Sequence, residues 1–410
     1  MEKVWWLVLM SLLTVQTALA QTRIAVMSDI HVASQTTPSG ERKMLDKSRV
    51  IFDKLVSQFK TQRPHLLLVT GDLTEDGDKE NHQYVKAGFD KLKAAGVKVF
   101  VIPGNHDLSN LNEDDFMALY ADYGYGSESV RDSTSLSYAC EPVAGLTLIG
   151  IDSHNGYLSG TTLNWVCQQA EEAKSKGRQV IAMMHHPLFP HFNNADLYIS
   201  TSTIGNYENI RNKLADAGIR VILTGHFHTS DIAKDWNDDL TREIYDINTG
   251  SAISYPCDYR MLTLSRDLKQ LTVATKHIDT LPGNMSFAKT AKDRLYSSMY
   301  NLAYKKIASR GSFSEGEKKQ LADIAARAFV VHAEGNEASQ AHSEVVGQIN
   351  SDINRLSNSG NLLIKMVATY LKSTIESILT DTSNLGDPER ENRTDDLTLS
   401  IKLADESLPQ

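Results

Sequence analysis

Five apolar runs within the first 228 residues each break off into a short block of hard donor side chains. Ile24-Ala25-Val26-Met27 runs into Asp29 and His31, and Leu66 to Val69 runs into Gly71-Asp72. Val97 to Ile102 ends on Gly104-Asn105-His106-Asp107, Gln179 to Met184 on His185, and Arg220 to Leu223 on Gly225-His226-Phe227-His228. Short apolar runs bounded by turn residues read as buried strands, and open α/β sheets place their sites just past the C-terminal ends of strands. Between these runs lie helical-period stretches, Met44–Phe59, Lys79–Ala95, Thr162–Lys176 and Asn206–Ala217. Leu146–Ile151, Glu243–Ile247, Met261–Leu264 and Leu271–Ala274 complete the expected strands. Such alternation predicts α/β layering with helices on the faces of the sheets.

Beyond residue 284 the pattern changes. Asp293–Arg310, Glu315–Val331, Ser343–Ser357 and Leu362–Leu379 all carry helical periodicity, and Ser383–Asp396 reads as a polar loop. The chain therefore divides into an α/β domain over residues 21–284 and an α-helical C-terminal region over 285–410. That region carries no catalytic signature and is available to cover a pocket, to dimerise or to dock a partner.

The first 20 residues read as a signal peptide. The apolar stretch Val4–Leu13 is shorter than the roughly 20 residues a bilayer span needs, and Ala18-Leu19-Ala20 is the small-x-small pattern of a cleavage point. Export to a periplasm or to the outside is expected, with no stable membrane anchor after cleavage. Cys140, Cys167 and Cys257 are too few and too scattered for a disulfide framework. None forms a CxxC pair, so any metal must be held by oxygen and imidazole. A net charge of −9 without a basic tract argues against a nucleic-acid polymer as ligand.

Each block alone is an ordinary turn. Together Asp29, His31, Asp72, Asn105, His185, His226 and His228 offer enough oxygen and nitrogen donors for two divalent cations that share a carboxylate. Hydrolysis of a phosphate ester near neutral pH needs a hydroxide, and metal coordination lowers the pKa of bound water to about 7. Asp72, on a Gly-Asp turn, is the natural shared carboxylate. Two divalent ions, two Asp carboxylates and one hydroxide leave a site charge of about plus one, suited to a phosphoryl anion. Absence of thiolates favours Mn, Fe or Zn without choosing among them.

The ordered set Asp-x-His, Gly-Asp, Gly-Asn-His-Asp, His and Gly-His-x-His resembles the calcineurin-like metallophosphoesterase superfamily over about residues 23–280. The resemblance implies a four-layer α/β/β/α sandwich, here with a C-terminal helical appendage. It implies one metal on Asp29, His31, Asp72 and His228, and a second on Asp72, Asn105, His185 and His226. His106 is then not a ligand but a general acid toward a leaving-group oxygen. Asp107 either orients His106 or caps the following loop. His186 is left as a supporting or pocket-lining residue, His191 as open, and His65, His82, His154, His277, His332 and His342 as structural or surface histidines.

Gly71-Asp72-Leu73-Thr74-Glu75-Asp76-Gly77, and Ile151-Asp152-Ser153 with Gly156 and Gly160, resemble the cyclic-nucleotide and glycerophosphodiester phosphodiesterase branch. Purple acid phosphatases carry a tyrosine where this chain has Glu75, and Leu188 stands where a second proline often follows His-His-Pro. The long connections 108–135, with Tyr120, Tyr123 and Tyr125, and 188–205, with Phe189, His191, Phe192 and Tyr198, are expected to wall the pocket. Their aromatic rings either stack a base or sugar or anchor the loops on the core. The expected activity is phosphodiester hydrolysis of a small phosphate-ester substrate through a metal-bridging hydroxide. A phosphomonoesterase with the same ligands and a metal-stabilised, non-catalytic scaffold are the alternatives.

Overall fold

The computed structural model describes residues 21–34, 37, 42–191, 202–309, 313–337, 339–379 and 395–403. The expected signal segment lies outside them, as do Phe192 and Tyr198. Two sheets form the centre. The first contains β1 (Thr22–Met27), β2 (Leu66–Val69), β3 (Lys98–Val101), β11 (Asp258–Leu264), β12 (Gln270–His277) and β13 (Thr398–Lys402), in the order β13-β12-β11-β1-β2-β3. The second contains β4 (Val130–Arg131), β5 (Tyr138–Val143), β6 (Leu146–Ile151), β7 (Gln179–Met184), β8 (Val221–Thr224), β9 (Asp231–Trp236) and β10 (Glu243–Asn248), in the order β4-β5-β6-β7-β8-β10-β9.

The strands that feed the donor blocks are neighbours and parallel. Met27 pairs with Val69 and Val69 with Val101, so β1, β2 and β3 end level. Met183 pairs with Leu223 across β7 and β8 in the other sheet. Parallel strands that end in register deliver their following loops to one edge, which is why donors far apart in sequence emerge side by side.

Both faces of these strands are covered. Along β7, Ile181 and Met183 face the core shared by the two sheets, while Ala182 and Met184 join the outer core under the helices. Continuous apolar runs buried on two faces are the mark of such strands. α1 (Ser48–Gln62) and α2 (Lys79–Ala94) pack Phe52, Phe59 and Phe89 into the first core. A short helix, α3 (Glu113–Leu119), interrupts the long connection after β3. α4 (Gly160–Ser175) and α5 (Tyr207–Asp216) bring Leu163, Val166 and Leu214 against the second sheet. The result is the four-layer α/β/β/α arrangement.

The C-terminal region forms α6 (Phe287–Ala308), α7 (Glu315–Glu334), α8 (Ser343–Ser357) and α9 (Leu362–Leu379), which share an apolar core around Leu321, Ile324, Ile349, Ile353 and Ile375. Among the described residues, no helix is long and apolar enough to cross a membrane. One element departs from an all-helical reading of this region: β13 returns to the first sheet and pairs antiparallel with β12.

Candidate metal centre

All seven expected donors converge at the level edge of the strands. Atoms of Asp29, His31, Asp72 and His228 lie within 4.8 Å of one another, and so do atoms of Asp72, His185 and His226. The two groups share Asp72, whose Oδ2 is 3.4 Å from both His31 Nε2 and His185 Nε2. Asn105 Oδ1 completes the second group, 3.0 Å from His185 Nε2 and 2.9 Å from His226 Nδ1.

The loops are bonded to one another, which fixes this convergence. Asp29 N–H donates to Gly71 O at 3.1 Å, His31 N–H to Asp72 O at 2.9 Å, and Gly225 N–H to His185 O at 2.9 Å. Close approach explains the glycines of the motif. A Cβ at Gly104 would collide with the Asp72 carboxylate, and one at Gly225 with the Ser28 and Asp29 side chains. Five of the seven donors also hold left-handed backbone, with φ of 50° at Asp29, 39° at His31, 50° at Asp72, 69° at His226 and 66° at His228. Each such residue costs on the order of 1–3 kcal/mol, and conformations of this kind gather at functional sites.

The donor chemistry fits a pair of divalent cations. Asp29 Oδ1 is fully buried and takes no hydrogen bond of good geometry; what faces it are His228 Nε2 at 3.2 Å and His31 Nε2 at 3.8 Å. His31 Nε2 and His228 Nε2 themselves stand 3.1 Å apart. On the opposite side of three imidazoles, His31 Nδ1 faces Glu75 Oε2 at 2.8 Å, His185 Nδ1 is bonded to Thr70 O at 2.8 Å, and His228 Nδ1 to Ser254 Oγ at 3.3 Å. A carbonyl only accepts, so His185 Nδ1 carries the hydrogen and Nε2 is turned to the site. Burial holds His31, His226 and His228 below the ordinary histidine range, leaving them neutral as metal ligands must be. Burial opposes ionisation of Asp29 and Asp72, yet the facing histidines hold both carboxyls low.

His106 lies at the rim, half-buried, beside exposed Asn105. Its backbone N–H donates to Asp72 Oδ1 at 2.9 Å, and its Nδ1 donates to Glu75 O at 2.6 Å. Its ring stands edge-on to His31 with 4.8 Å between centroids. Asp107 is expected from the sequence to orient His106 or to cap the following loop. Its buried carboxylate accepts from the N–H groups of Leu73 (3.1 Å), Thr74 (2.9 Å) and Gly104 (2.8 Å) and from Thr74 Oγ1 (3.1 Å), with no bond to the His106 ring. The carboxylate thereby joins the Asp72 loop to the Asn105 loop through their backbone, a contact that is neither of the two roles expected for it.

His186 is buried and lies over His226, with 4.3 Å between ring centroids. Burial and neighbouring His185 push its imidazole down to about 3. His191 points away from the donors, between Asp231 and Asp246. Tyr120, Tyr123 and Tyr125 are buried against Phe89, Phe116 and Tyr138. They anchor their loop and present no stacking face.

Two supporting groups escaped the sequence reading. Ser153 Oγ accepts from the N–H groups of His185 and His186, each at 3.2 Å. Glu75 contacts both His31 and His106 and is gripped by Lys43. Only the position of Glu75 inside the Gly71–Gly77 block could have pointed to it.

The profile of the calcineurin-like phosphoesterase family matches residues 22–230. A protein named probable cyclic nucleotide phosphodiesterase from Synechococcus sp. (strain WH7803) is 26% identical over 217 residues, covering 50% of this chain and 74% of that one. One named probable glycerophosphodiester phosphodiesterase from Arcobacter nitrofigilis is 25% identical over 215 residues, covering 50% and 71%. A solved dimetal phosphatase from Danio rerio superposes with a TM-score of 0.48 at 14% identity, over 62% of this chain and 96% of that one. With the family profile spanning just over half of the 410 residues, this chain belongs to the calcineurin-like phosphoesterase family and is a metal-dependent phosphoester hydrolase.

Proposed function

We propose that the chain is an exported phosphodiesterase that acts on small phosphodiesters of the cyclic-nucleotide or glycerophosphodiester kind. The observation that carries the chemistry is the convergence of six donors into two groups sharing Asp72, with Asn105 Oδ1 completing the second. The choice of diester is supported by the relatives' names and by the Gly71–Gly77 block. Export rests on the signal-like first 20 residues.

In this reading Asp29, His31, Asp72 and His228 hold one divalent cation, and Asp72, Asn105, His185 and His226 hold the other. Such a pair supplies Lewis acidity toward a phosphoryl oxygen and an activated water. The chain's own residues do the rest. Asp72 fixes the spacing of the two groups while its other oxygen, Oδ1, holds the His106 backbone. Because Nδ1 of His106 is committed to the Glu75 carbonyl, Nε2 is the atom left for substrate. In the imidazolium it donates a proton to the departing alkoxide, and in the neutral ring it accepts one. Exposed Asn105 and half-exposed His106 and His226 mark the side from which a substrate enters.

Turnover of bis-p-nitrophenyl phosphate against p-nitrophenyl phosphate, with Mn, Fe and Zn each supplied, tests the reading. Faster diester cleavage is expected. A clear preference for the monoester would replace it with the phosphomonoesterase alternative. A panel of 3′,5′-cyclic nucleotides and glycerophosphodiesters then names the substrate. Asp72→Ala is expected to lose metal, and retention of both ions would remove the shared carboxylate.

A further inference from the structure

The loop from Gly225 to Ser230 carries two of the proposed ligands, both in left-handed backbone, with φ of 69° at His226 and 66° at His228. Such conformations persist only where the surroundings over-determine them. From the inner side the loop is held by His226 N–H donating to Asp29 Oδ2 at 2.9 Å and by His228 Nδ1 against Ser254 Oγ at 3.3 Å. From the outer side it is met by a part of the chain that the family profile does not cover.

The last turn of α7 places His332 against this loop, only 2% exposed. Its Nε2 lies 3.4 Å from Thr229 Oγ1, and its ring stands edge-on to Phe227, the residue between the two ligand histidines, with 6.1 Å between centroids. His332 is itself gripped: Nδ1 is 2.5 Å from buried Glu337 Oε1, and Phe329 packs on the ring at 5.9 Å. Just beyond the helix, Gly335 takes a positive φ of 70° and brings the backbone beside Asp396, where a Cβ would sit 3.2 Å from Asp396 Cβ. Asp396 completes the outer contact. Its carboxylate accepts from Ile232 N–H at 2.8 Å, where β9 leaves the loop, and from Asn336 N–H at 3.0 Å.

We propose that His332, held by Glu337, is a positioning residue of the metal centre, fixing the 225–230 loop from outside so that His226 and His228 face the cations. The inference rests on the reading of these two histidines as ligands. It gives the helical region a task at the site: α7 buttresses a strained ligand loop. Groups that orient ligands from the second layer typically change metal affinity by about 10–100-fold when removed.

Equilibrium dialysis of the full-length chain against Mn²⁺, with metal analysis, separates the possibilities. The parent is expected to bind two ions. His332→Ala is expected to weaken binding by about 10–100-fold. Glu337→Gln, which keeps volume and an acceptor oxygen, is expected to show a smaller loss in the same direction and serves if the alanine variant does not fold. Ile353→Ala, in the apolar core of the same helices and away from the loop, is the control; it lowers the melting temperature and leaves Mn²⁺ affinity unchanged. Parental affinity in the His332 and Glu337 variants overturns the inference, as does an equal loss in Ile353→Ala, which would mean general loosening of the helices. A parent that binds no Mn²⁺ overturns the metal-centre reading itself, and the inference with it.

Discussion

Glu75 does much at this site for a residue with so little signal in the sequence. Its carboxylate lies 2.8 Å from His31 Nδ1 and is held by Lys43 Nζ at 2.6 Å to each oxygen, while its carbonyl takes His106 Nδ1 at 2.6 Å. One side chain and one carbonyl thereby orient a proposed ligand and the proposed acid. The seven donors were legible because each ends an apolar run. Lys43 was not, because it lies 32 residues from its partner and nothing local selects the pair. Glu75→Gln keeps the size but weakens the acceptor facing His31, so metal affinity is expected to fall by about 10–100-fold. Metal analysis after exhaustive dialysis checks this, and two ions retained at parental affinity would leave Glu75 without a role in orientation. His106→Ala acts differently: kcat is expected to fall by about 10²–10⁴-fold with both ions still bound. An unchanged rate would take His106 out of the reaction.

Among elements, the central strands and the apolar edge strand β3 were readable, and the polar borders were not. β1, β2, β6, β7 and β8 are buried on both faces and announce themselves as apolar runs. β4, β9 and β13 are edge strands with polar sequences such as Asp231-Ile-Ala-Lys-Asp-Trp236, and an edge needs fewer apolar side chains. β5 escaped for a related reason, since Glu141 and Pro142 break its pattern. The segment after His185 shows how tertiary contacts decide what local sequence leaves open. Leu188 donates its N–H to Asp246 Oδ2 at 2.6 Å, a bond that a proline at this position could not make. Three residues on, His191 sits buried between Asp231 at 3.0 Å and Asp246 at 3.2 Å. Burial opposes its charge, but the two carboxylates push it up to about 10 from an ordinary 6.5. A histidine raised in the folded state stabilises fully below its unfolded pKa and loses that contribution as pH rises through the folded value. A shift of this size corresponds to roughly 5 kcal/mol. Thermal melts from pH 6 to pH 11 should show the parent losing stability more steeply than His191→Gln between the ordinary 6.5 and about 10, the value in the fold. Parallel curves would mean that the ring is neutral in the fold.

At the scale of the molecule, the two sheets and the C-terminal segment meet on one buried guanidinium. Arg260 of β11 donates to Asn248 O at 2.5 Å and Asp231 O at 3.3 Å in the second sheet, to Thr275 Oγ1 at 2.6 Å in the first, and to Asp396 O at 2.7 Å. It is fully buried. Burying such a charge is unfavourable unless its surroundings compensate; backbone carbonyls and Thr275 Oγ1 take its hydrogens, and nearby Asp231 and Asp258 oppose the loss of its charge that burial favours. Removing one partner of a compensated buried charge network typically costs about 3–5 kcal/mol, because what remains is left unpaired. Arg260→Met fills much of the volume and removes every one of these donors, so its urea midpoint is expected to fall accordingly. The position of Arg260 makes a second consequence follow. In the parent, the helical region is tied to the sandwich through Asp396 and the end of α7, so far-ultraviolet circular dichroism, dominated by helices, and the fluorescence of Trp165 and Trp236 should report one coincident transition. In Arg260→Met the two probes should separate, with the fluorescence of the sandwich and the helical signal moving at different urea concentrations. Coincident curves at the parental midpoint would show that the guanidinium carries neither stability nor the coupling between the two parts of the chain.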